Sequence, residues 1–172
     1  KHIMAWQRER LQPLADGGFE LVADVVEVPK EYEMAMEACL GDRLQSLLAP
    51  NTDKTLSAVD LLKTRQGGRS TFLNAELMSV EEAPMDASVT EQSGVRGYLK
   101  TLVKCPDQHQ TALNRMFQNV VVVDTIRTAL ALRPRYPGLS FVTTEGDVLS
   151  ADGSLTGGSV QDDQSGLLHQ KR

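Results

Sequence analysis

Apolar and polar positions follow two rhythms along the chain, with proline and glycine marking the changes between them. After Pro29, the residues Tyr32, Ala35, Met36, Cys39 and Leu40 recur at spacings of three and four. That is one face of a helix, so residues 30–40 are predicted helical, with Gly41 closing the last turn. Residues 44–49 form a short apolar run, predicted as a buried strand. The stretch "NTDKTLSAVDLLKTRQGG" opens on capping residues and ends on paired glycines, which predicts a second helix over about residues 53–65. "RSTFL", with its β-branched and aromatic content, predicts a strand. Polar, aperiodic residues 74–94 then read as a long connection. Beyond it, residues 107–116 are predicted helical and the four valines at 120–123 a buried strand. Residues 125–132 make a helix stopped by Pro134. "LSFVTTEGDVLSADGSL" predicts two strands around a turn at Gly146.

The order of elements occurs twice. "ELVADVVEVPKEYEMAMEACL" and "GYLKTLVKCPDQHQTALNRMF" superpose at a shift of 77, with Pro29 on Pro106, Val22 on Leu99, Val25 on Leu102, Val26 on Val103, Ala35 on Ala112 and Leu40 on Phe117. Farther on, Gly68 matches Gly138 and Ser70 matches Ser140 at a shift of 70, while Ala58 matches Ala129 at 71. A short deletion in the second copy reconciles the shifts. Each copy reads as apolar segment, proline, helix, apolar segment, helix and strand, which is a duplicated α+β unit.

Charge sharpens this division. The 172 residues carry a formal net charge of −5, yet residues 17–93 hold 6 Lys/Arg against 14 Asp/Glu and residues 94–135 hold 7 against 2. An acidic half is followed by a basic segment. With 41% hydrophobic residues the chain is large and apolar enough for a globular core. Its longest apolar runs are too short to span a bilayer, and no charged-then-apolar leader opens it. "KHIM" reads in part as a cloning remnant before Ala5. Cys39 and Cys105 lack metal-like spacing and fit a reducing compartment. No phosphate-loop lysine accompanies "QGGRSTF", and His2, His109 and His169 share no helical face. Asp162 and Asp163 lack the ligand pattern of a calcium loop, and no serine has a nucleophile elbow. Neither cofactor nor metal is expected, and a small-molecule enzyme is the weakest reading.

Chemistry thus points away from catalysis, and "EGDVLSADGSLTGGSVQDD" invites another reading. Gly153, Gly157 and Gly158 lie within six residues; such a run serves either a turn that needs positive φ or a surface where another backbone comes close. Three pieces together resemble the hinge domain of structural maintenance of chromosomes (SMC) proteins, above all the bacterial form. They are "YEMAMEACLGDRLQSLL", "GGRSTFL", and "VTTEGDVLSADGSLTGGS" followed by "SGLLHQKR". The resemblance covers about residues 17–172 and departs at "FLNAEL", which lacks the proline usual after this strand.

The resemblance implies an α+β, SMC-hinge-like fold: two pseudo-symmetric subdomains with small mixed sheets and packed helices, flanked by short coiled-coil roots. Residues 1–16 would end the ascending coil, 17–93 form subdomain I with its linker, 94–160 form subdomain II, and 161–172 begin the returning coil. It implies a non-enzymatic homodimerisation module of a chromosome condensation and segregation protein, cytoplasmic and nucleoid-associated, with no membrane partner. Two hinges would join in a ring, subdomain I of each chain meeting subdomain II of the other. The implied interface is Arg69, Ser70, Thr71, Phe72 and Leu73 with Gly153, Leu155, Thr156, Gly157 and Gly158. ATPase heads and a kleisin partner would belong to the full protein only. The alternative is a dedicated nucleic-acid-binding module. Weak DNA contact is assigned to Arg8, Arg10, Arg96, Lys100, Lys104, Lys171 and Arg172, with Arg133 and Arg135 in the same basic segment.

Overall fold

The computed structural model describes residues 18–66, 68–78 and 85–158. The first copy runs β1 (Glu20–Leu21), α1 (Val22–Val25), a 3-10 turn (Lys30–Tyr32), α2 (Glu33–Leu40), a second 3-10 turn (Gly41–Gln45), β2 (Leu47–Ala49), α3 (Thr52–Thr64) and β3 (Phe72–Asn74). The second runs β4 (Val95–Tyr98), α4 (Leu99–Leu102), a 3-10 turn (Asp107–His109), α5 (Gln110–Phe117), β5 (Val120–Val123), α6 (Ile126–Leu132) and β6 (Ser140–Thr143). It then continues into β7 (Val148–Leu149) and β8 (Leu155–Thr156).

The two sheets repeat one topology. In the first, β2 lies between an antiparallel β1 and a parallel β3; in the second, β5 lies between an antiparallel β4 and a parallel β6. Asn51 and Thr125 cap the corresponding helices, their side chains accepting from the N–H of Lys54 and Thr128. Each thereby satisfies one otherwise orphaned donor of the first turn. The shift of 77 holds from β1 through α2. At the last strand the register pairs Leu47 with Phe72 and Val121 with Phe141, so Phe72 and Phe141 correspond at 69, one residue from the expected 70. The deletion falls largely in the second helix, which has 13 residues in α3 and 7 in α6.

Glu27 and Lys104 locate the pseudo-twofold axis. They are equivalent positions, and each donates its backbone N–H to the other's carbonyl, at 2.8 and 2.7 Å. An antiparallel bridge between a residue and its own equivalent is what a twofold axis at that point requires.

Packing across this axis joins the copies. The larger core cluster combines Val22, Val26, Met36 and Leu44 with Leu99, Val103, Leu113 and Phe117. Helix α2 packs against β6 of the other copy, and His109 at the entry to α5 reaches back to Glu20 of β1, at 2.9 Å. A smaller cluster, with Tyr98, Val121, Val123, Tyr136 and Phe141, belongs to the second sheet. Val89 is buried in that second cluster, and the Tyr98 hydroxyl donates to the carbonyl of Asp86 at 3.0 Å. The described end of the connection, Ala87–Glu91, therefore packs with the second copy although the sequence boundary grouped it with the first.

Candidate dimerisation edges

Among the described residues each sheet has two edge strands, β1 and β3 in the first and β4 and β8 in the second; β3 lies beside β2 alone and β8 beside β7 alone. Such edges present backbone donors and acceptors to whatever approaches. The residues expected at the interface lie on β3 and β8 and their approaches.

Strand β3 is entered through Gly68, Arg69, Ser70 and Thr71, all exposed. Thr71 is anchored by its carbonyl, which accepts the Leu47 N–H at 2.9 Å. Phe72 packs edge-on to Phe19, with ring centroids 5.8 Å apart. The strand ends at Asn74, whose buried amide donates to the Thr52 hydroxyl at 2.8 Å while its carbonyl oxygen accepts the Glu76 N–H at 3.0 Å. Glu76 completes the circuit, one carboxylate oxygen accepting from the Thr52 N–H at 2.6 Å and hydroxyl at 2.9 Å. These bonds, the backbone one foremost, hold its carboxyl below the usual value. Asn74 thus fixes the chain by bonding to both the helix cap region and the following turn.

Strand β8 rests on a different support. Leu155 pairs with Leu149 and Thr156 with Val148, and Leu155 is 55% exposed. The turn before it is closed by Gly153 N–H to Ser150 O and Ser150 N–H to Ser154 O, both 2.9 Å. Asp152 accepts the Ser154 N–H at 2.8 Å, which lowers its carboxyl pKa.

The glycines have local reasons to be glycine. Gly153 and Gly158 have φ of +94° and +126° with open space where a side chain would stand, whereas a Cβ at Gly157 would lie 2.6 Å from Asp147 Oδ1. Asp147 belongs to the same chain. Gly157 thus makes room for a neighbour within its own subdomain, which the sequence could not distinguish from room for a partner.

The basic residues separate on inspection. Arg96 is bonded to Asp124 at 2.5 Å and faces Glu31 at 3.6 Å, so its cation is already matched. Arg133 donates to the carbonyls of Ser150 and Ala151, and Arg135 lies over the Tyr136 ring. Lys104 is exposed and Lys100 half-buried. Arg8, Arg10, Lys171 and Arg172 lie outside the described residues, as do both expected coiled-coil roots, His2 and His169. Burial pushes the Cys39 thiol up to about 11, and raises Cys105 too. Neither is set up as a nucleophilic thiolate at neutral pH. Among the described residues no cluster of His, Cys, Asp and Glu could hold a metal, and no helix is long and apolar enough to cross a membrane.

Two sheets related by an internal twofold, with β3 and β8 as edge strands, can be set against known families. The family model of the flexible hinge domain of SMC proteins matches residues 15–133. The chain belongs to the SMC hinge family. It is 34% identical over 166 residues to the chromosome partition protein Smc of Myxococcus xanthus, covering 96% of this chain, and 32% identical to that of Lactiplantibacillus plantarum, covering 88%. It spans only 14% and 13% of the length of those relatives. Its fold is similar to that in the crystal structure of an asymmetric dimer of the Geobacillus stearothermophilus SMC hinge domain. There the TM-score is 0.86 at 24% identity, covering 99% of this chain and 70% of the other. The Pyrococcus furiosus Smc hinge domain with an extended coiled coil matches with a TM-score of 0.73 at 21% identity, covering 96% and 62%.

What sequence reading missed is the support behind the edges. It assigned the glycines around residue 155 but no strand there, although Asp152-Gly153 before "SL" is a hairpin signal. Thr52, Asn74 and Glu76 lie up to 24 residues apart, and Ser140 and Arg133 meet the hairpin from other elements. No local pattern links them.

Proposed function

We propose that this hinge joins two copies of its chain by strand addition, β3 of one copy pairing with β8 of the other. Two equivalent contacts then close a ring. The observation that carries this reading is that β3 and β8, on which the expected interface residues lie, are edge strands of the two different sheets. One belongs to the first pseudo-symmetric copy and the other to the second, so a twofold operation brings unlike edges together twice. Subdomains at 17–93 and 94–160, with residues 87–91 packed onto the second, would be the two halves of that exchange. If both contacts form, the interface should bury on the order of 2,000 Å² in total. In the longer protein the module would hold two chromosome-organising arms together, with ATP chemistry and any kleisin contact elsewhere.

The asymmetric dimer of the Geobacillus stearothermophilus SMC hinge domain supports the self-association in this reading. A dedicated nucleic-acid-binding module would instead need free cations, and Arg96 and Arg133 are bonded within the chain. Sedimentation equilibrium of the 172-residue chain is the test. A concentration-dependent monomer–dimer equilibrium is expected, and a species that stays monomeric at tens of micromolar would overturn the proposal.

A further inference from the structure

Strand β8 presents a problem of support. Residues 151–158 are all exposed, so no buried side chain of their own fixes them. Strand β7 is fixed by its pairing with β6 and by the buried Leu149, but β8 and the turn before it have only β7 beside them among the described residues. Something in the body of the subdomain must hold that turn and β8 in one arrangement.

Two side chains do so at the turn. Arg133, at the end of α6, donates from Nη1 to the carbonyl of Ser150 at 3.0 Å and from Nη2 to that of Ala151 at 2.6 Å. Ser140, at the start of β6, accepts the Ala151 N–H on its hydroxyl at 2.9 Å. One planar guanidinium thus spans two successive carbonyls, which a lysine ammonium on a flexible stem does not reproduce. Asp152 beside it has its carboxyl lowered chiefly by Ser154, with a smaller contribution from Arg133.

We infer that Arg133 is a positioning residue for self-association: its fork across Ser150 and Ala151 sets the β7–β8 hairpin in the pose in which β8 meets a second copy of the chain. The inference rests on the reading of β8 as a pairing edge. Ordering a loose segment upon association subtracts from affinity, so a hairpin held in place beforehand binds more tightly with no added contact. Arg133 also leaves the set of cations offered to phosphate, since both of its terminal nitrogens face backbone oxygen.

The test compares four chains by sedimentation equilibrium and thermal melting: the unaltered protein, Arg133→Ala, Arg133→Lys and Arg127→Ala. Arg127 is an exposed arginine on the same helix and controls for the lost charge. Both Arg133 variants should weaken dimerisation by about tenfold, from the lost preorganisation, with far-UV signal and monomer melting close to those of the unaltered chain. Arg127→Ala should dimerise normally. Hydrogen exchange of the Ser150 and Gly153 amides, measured at dilutions where monomer dominates, should accelerate in the Arg133 variants alone.

Undiminished dimerisation of Arg133→Lys would overturn the inference while leaving the dimer intact. An equal loss in Arg127→Ala would reduce the effect to net charge and overturn it too. So would loss of helix signal with the dimer, because Arg133 would then hold the subdomain rather than the hairpin. A monomeric unaltered chain removes the underlying reading itself and is seen without any variant.

Discussion

The two copies share a register and part at one position. Asn74 ends the parallel strand of the first copy, opposite Ala49 of β2, and Thr143 ends that of the second, opposite Val123 of β5. Asn74 turns its amide back to Thr52 and Glu76, and the chain leaves the sheet. Thr143 instead accepts the Asp147 N–H on its hydroxyl at 3.0 Å, and the chain folds over into β7 and β8. One copy therefore offers a parallel strand as its edge and the other a hairpin added beyond it. Divergence after a common strand gives a pseudo-symmetric chain two unlike edges, which a homodimer can use together.

The largest expected effect tests whether the copies are separate at all. Phe117 is fully buried in the cluster that both copies share, so Phe117→Ala should cost about 3–5 kcal/mol. Urea unfolding should remain a single transition, displaced to lower midpoint. Two resolved transitions would show the copies to be independent units and undo the shared-core account.

Leu155→Glu probes the hairpin edge. Leu155 is 55% exposed in the single chain, so monomer melting should move by no more than about 0.5 kcal/mol. Dimerisation should weaken by about 2 kcal/mol or more if this side chain enters an interface, read by sedimentation. An unchanged dimer would exclude β8 from the contact.

The glycines sharpen the distinction between local need and partner clearance. Gly158→Ala meets φ of +126° and should cost the monomer about 1–2 kcal/mol. Gly157→Ala should destabilise through its approach to Asp147, and Asp147→Ala in the same chain should restore the melting temperature. Any dimer deficit left in the double variant then belongs to the partner.

The smallest effect distinguishes the polar anchors of the two edges. Glu76 at β3 and Asp152 at β8 both have lowered carboxyl pKa values, from ordinary values of 4.5 and 3.8. Their stabilisation is therefore complete above those ordinary values and lost as pH falls through the lowered ones. Glu76→Gln and Asp152→Asn should each lower stability slightly at neutral pH, where the carboxylate contributes, and flatten the acid limb of a stability–pH curve while leaving its most acidic end little changed. A curve of unaltered slope would show that the bonds to Thr52 or Ser154 persist with the protonated acid.

Sequence legibility tracks how local each determinant is. The helix over residues 30–40 was readable because its apolar face recurs within the element, and it forms as a 3-10 turn leading into α2. The strand over 44–49 was readable only in part. Gly41–Gln45 winds as a 3-10 turn that buries Leu44, and pairing begins at Leu47. Apolar spacing cannot tell those two ways of burying a leucine apart. The repeat was legible through Pro29 and Pro106, and its final shift was off by one because Ser70 and Ser140 look alike but only the sheet register assigns Phe72 to Phe141.

By itself the sequence determined the duplicated order of elements, the capping residues that open the helix after Asn51, and the glycine-rich end that carries the family resemblance. Each is written in neighbouring residues, through periodicity, capping chemistry or backbone freedom. Only the tertiary structure decided that the two copies share a core across the Glu27–Lys104 bridge, that Arg96 is matched by Asp124 and Glu31, and that Gly157 makes room for Asp147. Those outcomes depend on which distant groups meet when the chain closes, and a charge or a glycine looks the same in sequence whichever neighbour it finds.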